Sequence, residues 1–276
     1  MTPAARALLV EPVLLPFAVA ALAMLAGRFW LGTRPTVPLA ALAQVAGFLI
    51  AYLALLGLPP WPPVMAREKI AFVAVCGVLL GLLLLLLPRW ADALQALMLA
   101  WPVAIVVWLA LPAPVELATV VAGALLALLG AAMIGPLAGA RQRNPRRVLM
   151  LLSALLGLAG IALFGQALWL AGLALALAAS LAGVLVAGRS VALANAALIG
   201  PSGSALALAG TLVLYGAASR PALLLLALVF AADRLARRLV ARHRFWLERL
   251  LFAAFCLIPL ALALLVARFG PASLLP

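Results

Sequence analysis

From Val148 to Gly188 the chain runs 41 residues without a charge or a proline. Nothing constrains its fold more. As one α-helix that run would extend about 60 Å at 1.5 Å per residue, twice the roughly 30 Å hydrocarbon thickness of a bilayer. It must therefore turn back on itself, most simply at Gly165 and Gln166, giving two membrane-length helices. The same pattern of apolar runs broken by charge, proline or glycine recurs along the whole sequence. Candidate spans fall at 7–27, 37–57, 70–87, 93–111, 115–136, 148–164, 168–188, 194–216, 219–236 and 249–267. About 20 apolar residues per crossing fill the 276-residue length with ten helices and short loops, leaving no room for a soluble domain. The expected fold is all-α: one integral membrane domain, 1–276, forming a polytopic transmembrane helix bundle. Charged residues make up only 9% of the chain, against about a quarter in soluble domains.

Arginine placement tests that count independently, because basic residues concentrate in cytoplasmic loops. With ten spans, fourteen basic residues fall on one side: Arg28, Arg34, Arg89, the four between Arg141 and Arg147, Arg189, and the six between Arg234 and Arg249. Five fall on the other: Arg6, Arg67, Lys69, Arg220 and Arg268. Fusing the sixth and seventh spans would place the two densest clusters on opposite faces. The expectation is a multi-pass protein of a bacterial-type inner membrane with both termini on the non-cytoplasmic side. The basic loop 139–147 nearly bisects the chain into 1–138 and 148–276. Five helices per half would make the halves inverted repeats, as in many secondary transporters, although no sequence echo links them.

The net charge of +13 sits at the ends of apolar runs rather than along an aromatic-interleaved face, so it argues against nucleic acid. It should draw anionic lipid to the cytoplasmic loops. A single histidine, His243, excludes bis-histidine haem, and the two cysteines, Cys76 and Cys256, are expected to pack within spans. No cofactor or metal is expected. The only lysine, Lys69, is expected at a loop edge, which argues against a retinal Schiff base. Asp92 and Asp233 are isolated, so the acidic pairs of membrane prenyl- or phospho-transferases are missing, and an enzyme is not expected.

Ionisable and polar intrusions into spans are the candidate functional residues. Asp233 and Arg237 have the i,i+4 spacing of an intrahelical pair, and with Arg234 they could gate a pathway or sit as an interfacial group with snorkelling arginines. Glu11 and Glu116 are expected in the first turns of helices running inward from the outer face. There the macrodipole favours a carboxylate, and the pair could serve as coupling acids or simply face water. Gly200-Pro201-Ser202-Gly203-Ser204 lies mid-span. It is either a broken helix offering Ser202 and Ser204 to a substrate, or a kink with a small-residue packing face. Leu58 to Val64 is expected as a stiff outer connector, and Gln44, Gln95 and Asn195 as interhelical hydrogen-bonding residues.

Gly200 to Gly203 resembles the Gly-x-Ser-Gly motif of rhomboid intramembrane proteases, which implies a Ser202–His243 dyad. The resemblance covers four residues, and His243 sits in a charged membrane-edge segment where that family places its histidine within the membrane. Membership is not inferred, and an intramembrane hydrolase using Ser202 is kept as a remote alternative. The leading expectation is a transporter or permease-like protein. The alternative is a non-catalytic membrane subunit or assembly factor that docks a membrane-protein partner, with homo-oligomerisation open in either case.

Overall fold

The computed structural model describes residues 3–31, 37–111, 117–134, 137, 145–188, 195–215, 220–232, 235–236 and 245–269. Among these residues there is no strand. Ten α-helices follow in order: α1 Pro3–Leu31, α2 Val37–Leu56, α3 Ala66–Leu86, α4 Ala91–Ala110, α5 Leu117–Ile134, α6 Pro145–Phe164, α7 Leu168–Ala187, α8 Asn195–Leu214, α9 Arg220–Ala227 and α10 Phe245–Phe269. Eight of them are long and apolar enough to cross a membrane. The apolar stretches of the other two, Thr119–Ile134 in α5 and Arg220–Ala231 through α9, are shorter.

The uncharged 41-residue run divides as expected. α6 ends at Phe164, the chain reverses at Gly165 and Gln166, and α7 starts at Leu168 and packs back along α6. Gln166 takes a left-handed φ of 58°, the conformation that breaks a helix sharply.

α7 and α8 form the centre. In α8 every residue from Asn195 to Leu212 is buried. α1, α2 and α6 pack around α7, and α2, α3, α4 and α5 around α8, while α9 and α10 close against α6. Lipid tails are as apolar as leucine, so helix association in a membrane depends on close packing rather than on water exclusion. Small residues provide it. A Cβ on Gly77 would lie 2.8 Å from the Gly200 Cα, and one on Gly183 would lie 2.5 Å from the Phe17 carbonyl oxygen. The helices α3 and α1 thus approach α8 and α7 to backbone contact. The outer surface carries a leucine-rich belt, including Leu14, Leu22, Leu79, Leu128 and Leu257. In water it would be an aggregation surface, and in a bilayer it is the lipid face. The chain is a multi-pass, membrane-embedded helical bundle.

Neighbour relations partly repeat between the first and last five helices. α1 packs on α2 as α6 does on α7, and α4 on α5 as α9 on α10, with α2 against α7 and α3 against α8 between the sets. Among the described residues the repeat stops there: α1 packs closely along α7 without a matching α6–α2 packing, α4 and α5 pack on α8 without matching packing of α9 and α10 on α3, and α10 packs on α6 without a matching α5–α1 packing.

Candidate functional site

Polar groups concentrate in two places, and the first is a clasp at one end of α2, α3, α4 and α8. The last carbonyls of a helix lack intrahelical donors. At the C-terminus of α4 the Lys69 ammonium donates to the Trp108 carbonyl at 2.7 Å, and the Tyr215 hydroxyl to the Leu109 carbonyl at 3.1 Å. Lys69 also lies 5.8 Å from the Trp108 ring centroid. Glu68 accepts from the backbone N–H groups of Val64 and Met65 at 2.8 and 3.0 Å, capping α3, and Tyr52 donates to the Arg67 carbonyl at 3.0 Å. Trp61 packs tilted against Phe72, and Phe72 meets Trp108 edge-to-face, at centroid distances of 5.6 and 6.5 Å.

The clasp corrects the placement of Lys69. It is buried, not at a loop edge, because α3 begins at Ala66 and carries it into the first turn beneath Trp108. Other expectations change with it. Gln95 and Cys76 are exposed on the bundle surface, whereas Gln44 is buried with its Oε1 lacking a hydrogen-bond partner. Glu11 is not a first-turn acid. α1 starts at Pro3, so Glu11 falls in the third turn, beyond the reach of the helix-terminus field. Glu116, Asp233, Arg234, Arg237 and His243 lie outside the described residues.

The second place is α8. It passes through Pro201 as one continuous helix, so Gly200–Ser204 is not a break. Its twenty residues give about 30 Å, one membrane thickness. Gly200 packs against Val78 of α3, and Gly203 faces the Trp101 indole nitrogen, which would be 2.9 Å from a Cβ there. The glycines make the packing face. Ser204 and Thr211 turn their hydroxyls back onto the Gly200 and Ala207 carbonyls at 3.0 and 2.8 Å, as serine and threonine do in helices.

Ser202 is different, for it lines a cavity of about 40 Å³ with Met133 and Leu137 near the end of α5, Arg147, Met150 and Leu151 of α6, Leu198 of α8, and Phe230. A second cavity of about 30 Å³ continues the line, walled by Leu126, Leu129, Ala154, Leu158, Ala205, Leu206, Ala209, Leu223, Leu226 and Ala227. Met133 and Phe230 border both. Each helix contributes a single stripe at helical spacing: 126, 129 and 133; 147, 150, 151, 154 and 158; 198, 202, 205, 206 and 209; and 223, 226, 227 and 230. The first chamber has a hydroxyl and a guanidinium in its wall and is large enough for water. The second has only apolar walls and should stay dry.

Of the expected site residues Ser202 lines the first of these cavities, and Arg147, Met133 and Phe230 join it there unforeseen. Among the described residues no three His, Cys, Asp or Glu side chains come together to hold a metal ion. Compared with family models, with curated proteins and with solved structures, the chain matches none.

Proposed function

We propose that this protein is a permease-like transporter of a bacterial-type inner membrane, with ten crossings, both termini outside, and its solute pathway between α5, α6, α8 and α9. The observation that carries this reading is the pair of chambers in line along one stripe of each of these four helices, with Ser202 in the wall of the first. The stripe on α8 from Leu198 to Ala209 covers about 16 Å, half the hydrocarbon thickness. Ten crossings put the Arg147 end of this column at the cytoplasmic face and the Leu223 end towards the outside. Two halves of five helices would be inverted, the arrangement in which transporters place a solute site at the junction of repeats. Asp233, Arg234 and Arg237 follow the cavity-lining residues Leu223, Leu226, Ala227 and Phe230 in sequence and remain pathway candidates. Glu11 and Glu116 remain candidates as coupling acids.

With Cys76 and Cys256 replaced, Ser202→Cys should react with a membrane-impermeant thiol reagent applied from the cytoplasmic side, at a rate that changes on energising the membrane. Complete protection from both sides in every condition would sink the transport reading. It would leave the bundle as a non-catalytic membrane subunit, a reading favoured by the exposed apolar ledge of Leu58, Trp61, Val64 and Met65 beside the clasp. That subunit would be lost from membranes in the absence of its partner.

A further inference from the structure

We infer that the cleft over α8 between α5 and α9 is a lipid site, which takes one unbranched acyl chain of a membrane lipid sideways from the bilayer, with the polar end of the chain towards Ser202. The inference goes beyond the transport reading and rests only on the bundle's being embedded in a membrane. Among the described residues α5 packs extensively on α4 and α8 alone, and α9 on α6 and α10. The two therefore flank the cleft without closing on each other, and neither chamber between them is sealed. The opening faces lipid. On α5, Leu126 and Leu129 line the upper chamber while their neighbours Leu125 and Leu128 are exposed. On the opposite lip Leu223 and Leu226 line it while Leu224 and Leu228 are exposed. Each lip is thus a leucine edge already in contact with the chains of the bilayer.

Length, polarity and width choose the occupant. The α8 stripe from Leu198 to Ala209 runs about 16 Å, the depth of one leaflet in a hydrocarbon core about 30 Å thick. Among the described residues Ser202 and Arg147 are the only polar side chains in the lining, and both belong to the first chamber. Arg147 already has a partner, so what the cleft offers a ligand is a hydroxyl at one end and hydrocarbon along the rest. An ester carbonyl at Ser202 with a chain running on past Met133 and Phe230 follows that gradient. The chambers, about 40 and 30 Å³, each hold about two or three water-sized spheres, which suits a slender chain and excludes a fused ring system. Met133 borders both chambers, and its flexible side chain yields as the chain passes. An apolar void beside lipid forfeits the dispersion contacts of its walls, and a chain restores them.

The experiment uses the full-length protein in phosphatidylcholine nanodiscs with a trace of phosphatidylcholine carrying a diazirine midway along one unbranched chain. After irradiation the labelled residues are mapped by peptide mass spectrometry. α8 is the reporter, since every residue from Asn195 to Leu212 is buried and out of reach of bulk lipid. It should label at Leu206 or Ala209, alongside α10, whose exposed Leu257 and Leu265 report bulk lipid. A sterol carrying a diazirine should label α10 and leave α8 blank. Ala227→Phe fills the upper chamber from a partly exposed wall position, and Ala209→Val narrows its floor. Each should cut α8 labelling about tenfold while α10 labelling stays the same.

A blank α8 beside a labelled α10 in the unsubstituted protein would overturn the lipid site, whether or not any variant folds. So would α8 labelling that persists in whichever variant stays monodisperse, or a sterol that labels α8 as strongly as the chain does. Labelling of α8 by a free fatty acid bearing the same diazirine, but not by the phosphatidylcholine, would overturn it as well. None of these outcomes touches the transport reading, which is decided separately by the reaction of Ser202→Cys from water.

Discussion

Lys69 shows how a single charge can be structural inside a membrane protein. Its ammonium and the Tyr215 hydroxyl satisfy consecutive carbonyls at the end of α4, which would otherwise be buried without donors. Lys69→Met keeps the length of the side chain and removes the donor. It should lower stability by about 1–3 kcal/mol, the cost of stranding a buried acceptor, read as a fall in the thermal midpoint in detergent. Tyr215→Phe should cost about 1 kcal/mol in the same assay. A Lys69→Met protein with an unchanged midpoint would mean that water reaches the Trp108 carbonyl and that the clasp is open. Lys69 was illegible in the sequence because a charge normally ends an apolar span, and the expected helix accordingly began at Ile70. Its burial is decided by Trp108, 39 positions away. Ser202 was legible as a polar intrusion. Arg147 was seen only as one member of a loop cluster, since nothing local distinguishes it from Arg146, which instead lies over the Phe252 ring at 5.7 Å.

At the scale of elements, hydropathy locates helices well and orients them poorly. The boundaries of α2, α7 and α8 agree with expectation to within about two residues, because charges and glycines flank them. Which way α8 faces could not be read, since a helix buried on every side has no polar face to mark its outside. The stripe Leu198, Ser202, Ala205, Leu206 and Ala209 is therefore visible only once α5, α6 and α9 surround it. The opposite side of α8 yields a sharper prediction. Gly77 and Gly200 bring α3 and α8 to backbone contact, and a Cβ at Gly77 would strike the Gly200 Cα, an atom that cannot rotate away. Gly77→Leu should cost about 3 kcal/mol or more by overpacking and broaden the gel-filtration profile. Gly123→Ala meets only the Val106 Cγ1 at 3.3 Å and should leave the profile unchanged. Equal behaviour of the two variants would show that the α3–α8 crossing has slack.

For the molecule as a whole, the open point is whether α5 and α9 cross. Both are shorter than a full span among the described residues, yet charge argues that they do. If neither crossed, Arg141 to Arg147 and Arg189 would move outside while Arg220 moved inside. The basic residues would then divide ten against nine instead of fourteen against five, and the bias that orients membrane proteins would vanish. A short crossing is tolerable, since a bilayer thins locally at a fraction of a kcal/mol per ångström of mismatch. A helix of modest length is also suited to move, and α9 is followed directly by the 3-10 turn Leu228–Ala231 that holds Phe230. Ten crossings place Gln142 inside and Ala218 outside, so single cysteines there should label from opposite faces of the membrane. Labelling of both from the same face would mean an odd change in the number of crossings between them. With the N-terminus outside, labelling of Gln142 from outside and of Ala218 and a third cysteine at Ala241, beyond α9, from inside would mean that α5 and α9 both lie along the membrane. In that case the two five-helix sets could not be inverted copies, and the column between α5, α6, α8 and α9 would not connect the two faces.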